Sequence, residues 1–427
     1  MKNNFSVFYI LLSVVAASMY VSCSSTSSIP EDDKLFIGLE PIEYNNYEKN
    51  AHATTTKEEM EYVLASAPNG ALLGSSYYRT PFPVRLWIWN AFARDSSRFG
   101  LWMMKSFGSR PKLMSQVNPN LRTLVAENQL KKYGYFNSNV SYKIVSKPES
   151  RKAKVAYKVD MGPLWRIDSL SYLNFPLTID SLLEKTRGEA SVKKGDPFVV
   201  ANLESERQRI SSLFRNNGYY FYESGDASYL ADTINNPGKV NLQILFADSL
   251  PERVSHKWCV GKVNINFRRL YSDTLCDSMS SRHYDIHFNG KRPPIRPGVI
   301  LRDLSIKPGK LYSSSDEEQS KQKIQSTGLF SYTNLTFSPR DSTSLCDTLD
   351  ANMDLVFDKP YDFYIESNAK GKTTGMLGPE FVMGFTKRNA FRGGEKLDIN
   401  LHGSYEWQTG GNSGTSADAN SYEYGMD

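Results

Sequence analysis

The chain has 427 residues, of which 40% are apolar and 23% are charged, and its formal net charge is +5. This composition is that of an ordinary folded protein, and the length is sufficient for several domains. The basic residues are spread along the chain rather than clustered, which argues against a nucleic-acid partner.

Residues 1–22 have the pattern of an export signal. Lys2 gives the positive start, and the apolar run that follows is interrupted mainly by serines. The run is short for a membrane anchor, and no positive cluster follows it. Cys23 then stands where a lipoprotein signal is cleaved and acylated, although Tyr20 departs from the usual cleavage box. We predict a lipidated Cys23 and a solvated linker over residues 23–33.

An aromatic and basic stretch lies inside the first predicted domain, residues 34–162. Residues 82–107 contain three of the six tryptophans of the chain, interleaved with four basic side chains. Such a stretch can lie in a membrane interface, where an acyl group on Cys23 would hold it. Alternatively, the aromatics pack one helix onto the sheet of the first domain. We favour this packing interpretation, because aromatic residues at helical spacing usually belong to a core.

A repeated pattern is the strongest signal in the chain. Three times, a helix ends at a glycine and is followed by a strand, a polar loop and a second strand. A helix that turns at once into a strand needs a residue that tolerates the left-handed conformation, which glycine does. The three predicted caps are Gly134 with Tyr135, Gly218 with Tyr219, and Gly328 with Leu329.

Two details separate the repeats. A glycine-containing turn precedes the second helix of the second and third units, at residues 194–198 and 308–312. The caps Gly134 and Gly218 are 84 positions apart, whereas Gly218 and Gly328 are 110 apart. We therefore place an insertion in the third unit, at residues 271–297.

The end of the chain alternates between apolar and polar residues. The alternation continues over residues 396–407, which is longer than an average soluble strand and suits one that crosses a membrane. A shorter alternation at residues 381–385 and a glycine turn at residues 389–394 precede it. By pattern alone, a hairpin of a soluble sandwich fits equally well.

Residues 377–407 resemble the opening strands of a BamA/TamA-type outer-membrane barrel, through their Gly-Phe-Thr, Asn-Ala-Phe-Arg-Gly-Gly-Glu-Lys-Leu and Gly-Ser-Tyr-Glu-Trp segments. The β-α-α-β-β order of the repeats resembles the POTRA (polypeptide-transport-associated) fold of that family, and Cys23 fits its lipidated TamA-like branch. The resemblance implies an α+β chain with tandem POTRA-like repeats followed by the first strands of a transmembrane β-barrel. The predicted repeats are 34–162, 163–251 and 252–360, and the barrel strands lie in 361–427.

The barrel of this family has sixteen strands, and residues 361–427 can supply only three or four of them. A closed barrel needs about eight strands at least. Open strand edges in lipid leave backbone groups unpaired, which costs several kcal/mol for each group. We therefore expect the chain to be a fragment or a truncated product of a barrel protein.

The resemblance implies an outer-membrane assembly or translocation factor with periplasmic repeats. The repeats would bind unfolded β-barrel or autotransporter-like clients at a sheet edge and pass them to the barrel, beside the outer-membrane lipid. Backbone pairing accepts many sequences and needs no cofactor. We expect proline at Thr333 or Thr336 to block this pairing while the repeat stays folded. The predicted client strand comprises Tyr332, Thr333, Asn334, Leu335 and Thr336.

The alternative function is a lipid-anchored periplasmic scaffold or binding module that uses the repeats alone. A large periplasmic partner protein fits either function, and the residues do not decide whether one is needed. Enzyme signals are weak. Residues 371–373 match the end of a phosphate-binding loop motif, but Glu366 stands where the first glycine of that motif is required. His283 and His287 lie in a predicted strand or loop. We therefore expect no enzyme activity, cofactor or metal.

Three cysteines besides Cys23 lie in the third unit. Export to an oxidising compartment allows one disulfide and one free thiol among them. Cys276 and Cys346 lie in polar loops, where disulfides are common, whereas Cys259 is expected to be buried in a strand. The candidate disulfide joins Cys276 and Cys346, and the other pairings stay open.

Overall fold

The computed structural model describes residues 25–234, 236–247, 250–281, 283–341, 346–371, 376–408 and 420–427. The predicted export signal and Cys23 lie outside the described residues. None of the described helices is both long and apolar enough to cross a membrane. The chain forms two compact units: one comprises residues up to Leu173 with Ala190–Glu206 and Tyr229–Ile244, and the other comprises Asn174–Glu189, Arg207–Ser228 and Leu245–Asp427.

The first repeat combines a small sheet with two long helices. Its strands are β1 (Leu35–Leu39), β2 (Glu43–Asn45), β3 (Asn139–Val145) and β4 (Lys152–Asp160). Strands β1 and β2 pair in parallel with β4, and β3 pairs with it in the antiparallel direction. Helices Ala51–Leu64 and Pro119–Lys132 share a core with the sheet, in which Met60 and Leu130 are fully buried. Alternate residues of β4 are buried, as expected when one sheet face covers a core.

Three shorter helices lie between these two long ones: Val84–Phe92, Arg98–Phe107 and Met114–Val117. We call the first two the aromatic helix pair. The prediction that their aromatic residues pack onto the sheet is wrong. Among the large apolar side chains of the pair, Leu86 alone is buried, and it contacts Ile29 and Leu35. Four of the aromatic residues contact each other, through Phe92 with Phe99, Phe99 with Trp102, and Trp102 with Phe107. Trp87 contacts Phe82, and Trp89 lies beneath the guanidinium of Arg110.

The second repeat has a three-stranded sheet in the order β5-β7-β6. These strands are β5 (Arg166–Leu173), β6 (Ala227–Asp232) and β7 (Lys239–Phe246). Helices Leu177–Lys185 and Val200–Arg215 lie between β5 and β6 in the chain. The order of elements is thus one strand, two α-helices and two strands, whereas the first repeat has β2 and three shorter helices in addition.

The third repeat has a five-stranded sheet in the order β11-β12-β8-β10-β9. Helix Glu252–Ser255 precedes it, and helices Pro297–Asp303 and Ser314–Ser326 lie between β10 and β11. Strands β9 and β10 fall within residues 271–297 and pair onto the side of β8, so this hairpin widens the sheet by two strands. The strands are β8 (Cys259–Arg268), β9 (Asp277–Ser281), β10 (Tyr284–Phe288), β11 (Phe330–Pro339) and β12 (Thr348–Phe357).

The predicted disulfide between Cys276 and Cys346 is not formed, and Cys259 is also free. Cys276 directly precedes β9 and Cys346 precedes β12, with β8 and β10 between those two strands. Three strand spacings amount to ~14 Å. A disulfide requires Cα atoms within about 7 Å. Two polar loops can carry cysteines without lying near each other.

The last described sheet is a meander of consecutive antiparallel strands. These are β13 (Tyr361–Gly371), β14 (Met376–Arg388), β15 (Lys396–Gln408) and β16 (Asn420–Met426). Strands β14 and β15 have 13 residues each. A tilted strand needs about 9–11 residues to cross a bilayer. These strands are therefore long enough for a membrane wall.

Candidate functional site

The three predicted glycine caps have left-handed backbone conformations. The φ angles of Gly134, Gly218 and Gly328 are +88°, +100° and +64°. Residues other than glycine adopt this region at a cost, because the Cβ atom approaches the following carbonyl oxygen. The residue after each glycine is buried in the core of the repeat that the helix belongs to; these residues are Tyr135, Tyr219 and Leu329.

The second aromatic residue after Gly134 serves the next repeat instead. Phe136 packs edge-on against Trp165, with ring centroids 5.3 Å apart, and against Phe198 at 5.1 Å. The main-chain N–H of Trp165 donates a hydrogen bond of 2.9 Å to the Gly134 carbonyl oxygen. The cap that ends the helix of the first repeat therefore also starts β5 of the second.

The same arrangement recurs after Gly218. Its carbonyl oxygen accepts a hydrogen bond of 2.8 Å from the N–H of Trp258, the residue before β8. Tyr220 contacts Tyr312 with centroids 4.8 Å apart, and Phe221 contacts Trp258 at 5.1 Å. We call these two arrangements the glycine–tryptophan joints.

Each joint unites two sequence features that looked independent. Phe198 and Tyr312 end the glycine-containing turns at residues 194–198 and 308–312. In each joint this turn supplies the ring that receives the aromatic residue of the preceding cap. Both features are visible in the sequence, whereas the role of Trp165 and Trp258 was not predicted from it. A tryptophan directly before the first strand of the next unit is a usable signal for such a joint.

A charged network stabilises the second joint. The guanidinium of Arg215 donates a 2.9 Å hydrogen bond to the hydroxyl of Tyr312, which donates one of 2.6 Å to Glu317. Burial, together with the hydrogen bond to Glu317, raises the pKa of Tyr312 well above its ordinary value. The phenol therefore stays protonated at neutral pH and can donate its hydrogen bond to Glu317.

The caps differ in how closely they are surrounded, which leads to a testable prediction. A Cβ atom on Gly134 would lie 2.6 Å from the carbonyl oxygen of Phe198, whereas one on Gly328 would have no neighbour within 4 Å. Both substitutions strain the backbone by roughly 1 kcal/mol. We expect Gly134→Ala to destabilise its repeat by a further ~1–3 kcal/mol through this clash. Urea denaturation of both variants measures the difference, and equal losses would contradict the steric explanation.

Strand β11 is the open edge of the third-repeat sheet. It pairs with β12, and no described strand pairs with its other side. In an antiparallel pair, alternate residues point their N–H and C=O groups to the neighbouring strand and the residues between point them away. The free side of β11 thus presents a row of backbone donors and acceptors.

The register shows which residues form that row. Arg340 N donates to Thr348 O at 2.9 Å, and the register is unshifted from Tyr332 to Pro339. The even-numbered positions therefore bond to β12, and Thr333 is among those that face the open side. Of the predicted client strand, Tyr332, Asn334 and Thr336 bond to β12, whereas Thr333 and Leu335 have outward-facing backbone groups.

This alternation corrects the prediction that treated Thr333 and Thr336 as equivalent. Proline at Thr336 would remove a hydrogen bond to β12 and damage the repeat itself. Proline at Thr333 removes only an outward-facing donor. Pro339, which has the parity of Thr333, already occupies such a position.

The sheet β13–β16 has one apolar and one polar face, because the side chains alternate in register across all four strands. The apolar face is exposed. On β13 to β15 it carries Phe363, Ile365, Phe381, Met383, Phe385, Leu397, Ile399, Leu401, Tyr405 and Trp407. An exposed apolar face of this size marks a contact surface for another apolar body, such as lipid or a partner protein.

The opposite face carries most of the charged side chains of the sheet, whereas Lys387 lies on the apolar face beside Tyr361. Lys370 lies 3.5 Å from Glu380 and 3.1 Å from Glu423, which come from different strands. Tyr364 and Asn400 are hydrogen-bonded across the same face at 3.0 Å. Placing charges together on one side is the pattern of a barrel wall, whose lumen is polar and whose outer surface is apolar.

The turn between β14 and β15 contacts the third repeat. Asn389 donates a side-chain hydrogen bond of 2.9 Å to the carbonyl of Pro294, and Arg392 donates one of 2.6 Å to that of Pro293. The main-chain N–H of Arg296 donates to the Arg392 carbonyl at 2.8 Å. Gly394 has a φ of +85° and packs close to the side chain of Leu329. These contacts thus fix the turn to the third repeat, which also carries β11.

A metal centre has no support in the described part of the chain. No group of three His, Cys, Asp or Glu side chains there is arranged to hold an ion. The predicted lipidation site, Cys23, lies outside the described residues, so its surroundings are known only from the segment that starts at Ser25.

No family model matches the chain, and no curated protein matches it. Among solved structures, the chain is similar to BamA from Haemophilus ducreyi lacking POTRA domains 1–3, with 14% identity and a TM-score of 0.40. That match covers 57% of this chain and 39% of the other. BamA POTRA3–5 from Haemophilus influenzae matches with 12% identity and a TM-score of 0.34, over 77% of this chain and 99% of the other.

CdiB from Acinetobacter baumannii is a further similar structure, with 12% identity and a TM-score of 0.27. The match covers 58% of this chain and 41% of CdiB. The chain thus spans well under half the length of the Haemophilus ducreyi BamA and CdiB structures that it resembles.

Proposed function

We propose that the protein is an outer-membrane assembly or translocation factor of the TamA-like kind, lipidated at Cys23. Its repeats lie in the periplasm, and β13–β16 form part of a membrane barrel. Unfolded β-barrel or autotransporter-like clients pair with β11 and pass to that barrel. The proposal includes no catalytic step, cofactor or nucleic acid. The observation that carries it is the open edge of β11 in the same unit as an exposed, two-faced sheet.

The edge of β11 suits clients of many sequences. Its outward row consists of main-chain groups, and every incoming residue except proline can pair with them. The exposed face of the strand then adds selectivity through Tyr332, which is 43% exposed. Leu335, on the opposite face, is buried in the core. An exposed tyrosine favours clients with aromatic or β-branched residues at the opposing position.

Three residues separate β12 from β13, so the edge strand and the membrane sheet belong to one continuous segment of chain. The turn at Asn389 and Arg392 adds a second connection between the third repeat and the sheet. A client strand captured on β11 is therefore held beside the element that would receive it. This proximity favours the assembly function over a scaffold that uses the repeats alone.

The decisive test is proline at Thr333. We expect Thr333→Pro to lower the amount of assembled client by about tenfold, equivalent to ~1.4 kcal/mol of lost pairing. The physical reason is the loss of an outward donor and the clash of the proline ring with an incoming strand. Assembly is measured in cells as the fraction of an outer-membrane β-barrel client that reaches its folded, heat-modifiable form.

Two matched variants make this test specific. Thr333→Val keeps the N–H group and the β-branched shape, so it should assemble clients normally. Thr336→Pro should instead reduce the thermal stability of the third repeat, since its N–H bonds to β12. Normal assembly by a folded Thr333→Pro protein would exclude edge pairing on β11, and would favour a scaffold that recruits partners through side chains.

A further inference from the structure

The aromatic helix pair presents large apolar side chains to solvent. Phe99 is 62% exposed and Trp102 is 54% exposed, although both side chains are large and aromatic. Phe82, Leu101 and Phe107 are exposed around them. Leu86 packs the pair against Ile29 and Leu35, and the described residues leave this surface uncovered.

The charge around this surface is almost entirely positive. Five basic side chains on or beside the pair are exposed, and none of them forms an ion pair with a described residue. The one carboxylate of the segment, Asp95, accepts hydrogen bonds from the N–H and hydroxyl of Ser97 at 2.8 and 3.0 Å. The basic residues are Arg85, Arg94, Arg98, Lys105 and Arg110.

The start of the described chain is fixed against the same helices. The Ser28 hydroxyl is hydrogen-bonded to Asn90, and Ile29 is only 6% exposed in its contact with Leu86. Arg151 donates hydrogen bonds of 2.8 and 2.6 Å to the carbonyl oxygens of Ile29 and Pro30. The solvated linker predicted over residues 23–33 is therefore wrong for this part, because an apolar residue and main-chain acceptors tie it down.

This contact limits where an acyl group could lie. Cys23 precedes Thr26 by three positions, and the carbonyl of Thr26 accepts a hydrogen bond from Arg151. An extended chain advances at most ~3.6 Å per residue, so three positions allow a tether of at most ~11 Å. An acyl chain on Cys23 would thus enter the bilayer close to the aromatic helix pair.

We propose that the aromatic helix pair is a membrane-interface binding surface for an anionic phospholipid leaflet. Its aromatic side chains insert at the level of the headgroups, and its five cations contact phosphate groups. Short amphipathic helices with aromatic residues on one side and basic residues around them bind in this way. A protein partner of matching charge would need acidic groups and a fitted surface, whereas a bilayer supplies both anionic and apolar layers.

Tryptophan fluorescence tests this surface in the full-length, acylated protein. We propose to reconstitute the protein in vesicles of phosphatidylethanolamine and phosphatidylglycerol, with and without phosphatidylglycerol brominated in its acyl chains. Bromine quenches only tryptophans that reach the bilayer. Trp102→Phe should lower the quenched fraction of the total emission, because it removes a quenched tryptophan.

Trp165→Phe is the matched control. Trp165 lies in the core of the second repeat, so its removal should raise the quenched fraction. Cys23 is unchanged in all variants, so any anchoring through it is the same in each and cannot cause a difference between Trp102→Phe and Trp165→Phe. A quenched fraction that is unchanged or raised by Trp102→Phe would overturn the proposal and assign the surface to a protein partner.

The charges are tested separately. In vesicles of phosphatidylglycerol and phosphatidylcholine, we expect brominated phosphatidylglycerol to quench more strongly than brominated phosphatidylcholine. Replacing Arg98 and Lys105 with glutamine should abolish this difference. The control replaces Lys131 and Lys132, two exposed lysines of helix Pro119–Lys132, and should retain this preference. Equal quenching by the two lipids in the unaltered protein would overturn the choice of an anionic leaflet.

Discussion

Replacing Trp258 with alanine is expected to lower the free energy of unfolding of the third repeat by about 3–5 kcal/mol. The indole is 3% exposed and packs against Phe221 and His256, with ring centroids 5.1 and 4.7 Å apart. Its Nε1–H also donates a 3.0 Å hydrogen bond to the Arg253 carbonyl, which would lose its partner. The substitution thus leaves both a cavity and an unsatisfied acceptor.

Hydrogen exchange of the full chain measures this effect where it arises. Faster exchange should be seen in β8 and in the segment after Gly218, because Trp258 connects the two. Trp102→Ala is the matched control, since it removes the same side chain from an exposed position and should cost less than about 1 kcal/mol. Equal protection of β8 in wild type and Trp258→Ala would show that the second glycine–tryptophan joint is not a stabilising contact.

Replacing Cys23 with alanine is expected to abolish acylation of the protein. The thiol is the only group in the predicted cleavage box that can carry a thioether-linked lipid, so no neighbouring residue substitutes for it. Incorporation of labelled palmitate measures the result directly, and fractionation of membranes should change with it. Ser24→Ala is the matched control and should label as the wild type does.

The outcome of this experiment separates two contributions to membrane binding. If the acyl group is lost, the aromatic helix pair and the sheet β13–β16 remain, so the protein should shift in its fractionation rather than become free of membranes. Equal palmitate labelling of Cys23→Ala and wild type would exclude lipidation at this residue, whatever the fractionation shows.

The repeats could be predicted because their signals are local. A glycine needed for a left-handed φ stands directly after a helix, and alternation within one strand shows which of its residues face a core. The insertion in the third unit could likewise be placed at residues 271–297 from spacing alone. The two faces of the last sheet follow from the same alternation, as in residues 396–407.

What could not be predicted depends on residues far apart in sequence. That Phe136 would enter the core of the second repeat depends on Trp165 and Phe198, which come from separate elements. Trp102 is exposed because none of the described elements covers it, which helical spacing cannot reveal. The difference between Thr333 and Thr336 depends on the register with β12, fixed by contacts across the sheet.

The third repeat has two attachments to the β13–β16 sheet. One is the chain itself at Pro360, and the other is the turn at residues 389–394, through Asn389 and Arg392. A single attachment acts as a swivel, about which the repeat could rotate. Two separated attachments act as a brace, because each one resists rotation about the other. A force applied to the third repeat would therefore be transmitted to β14 and β15 instead of being dissipated in rotation.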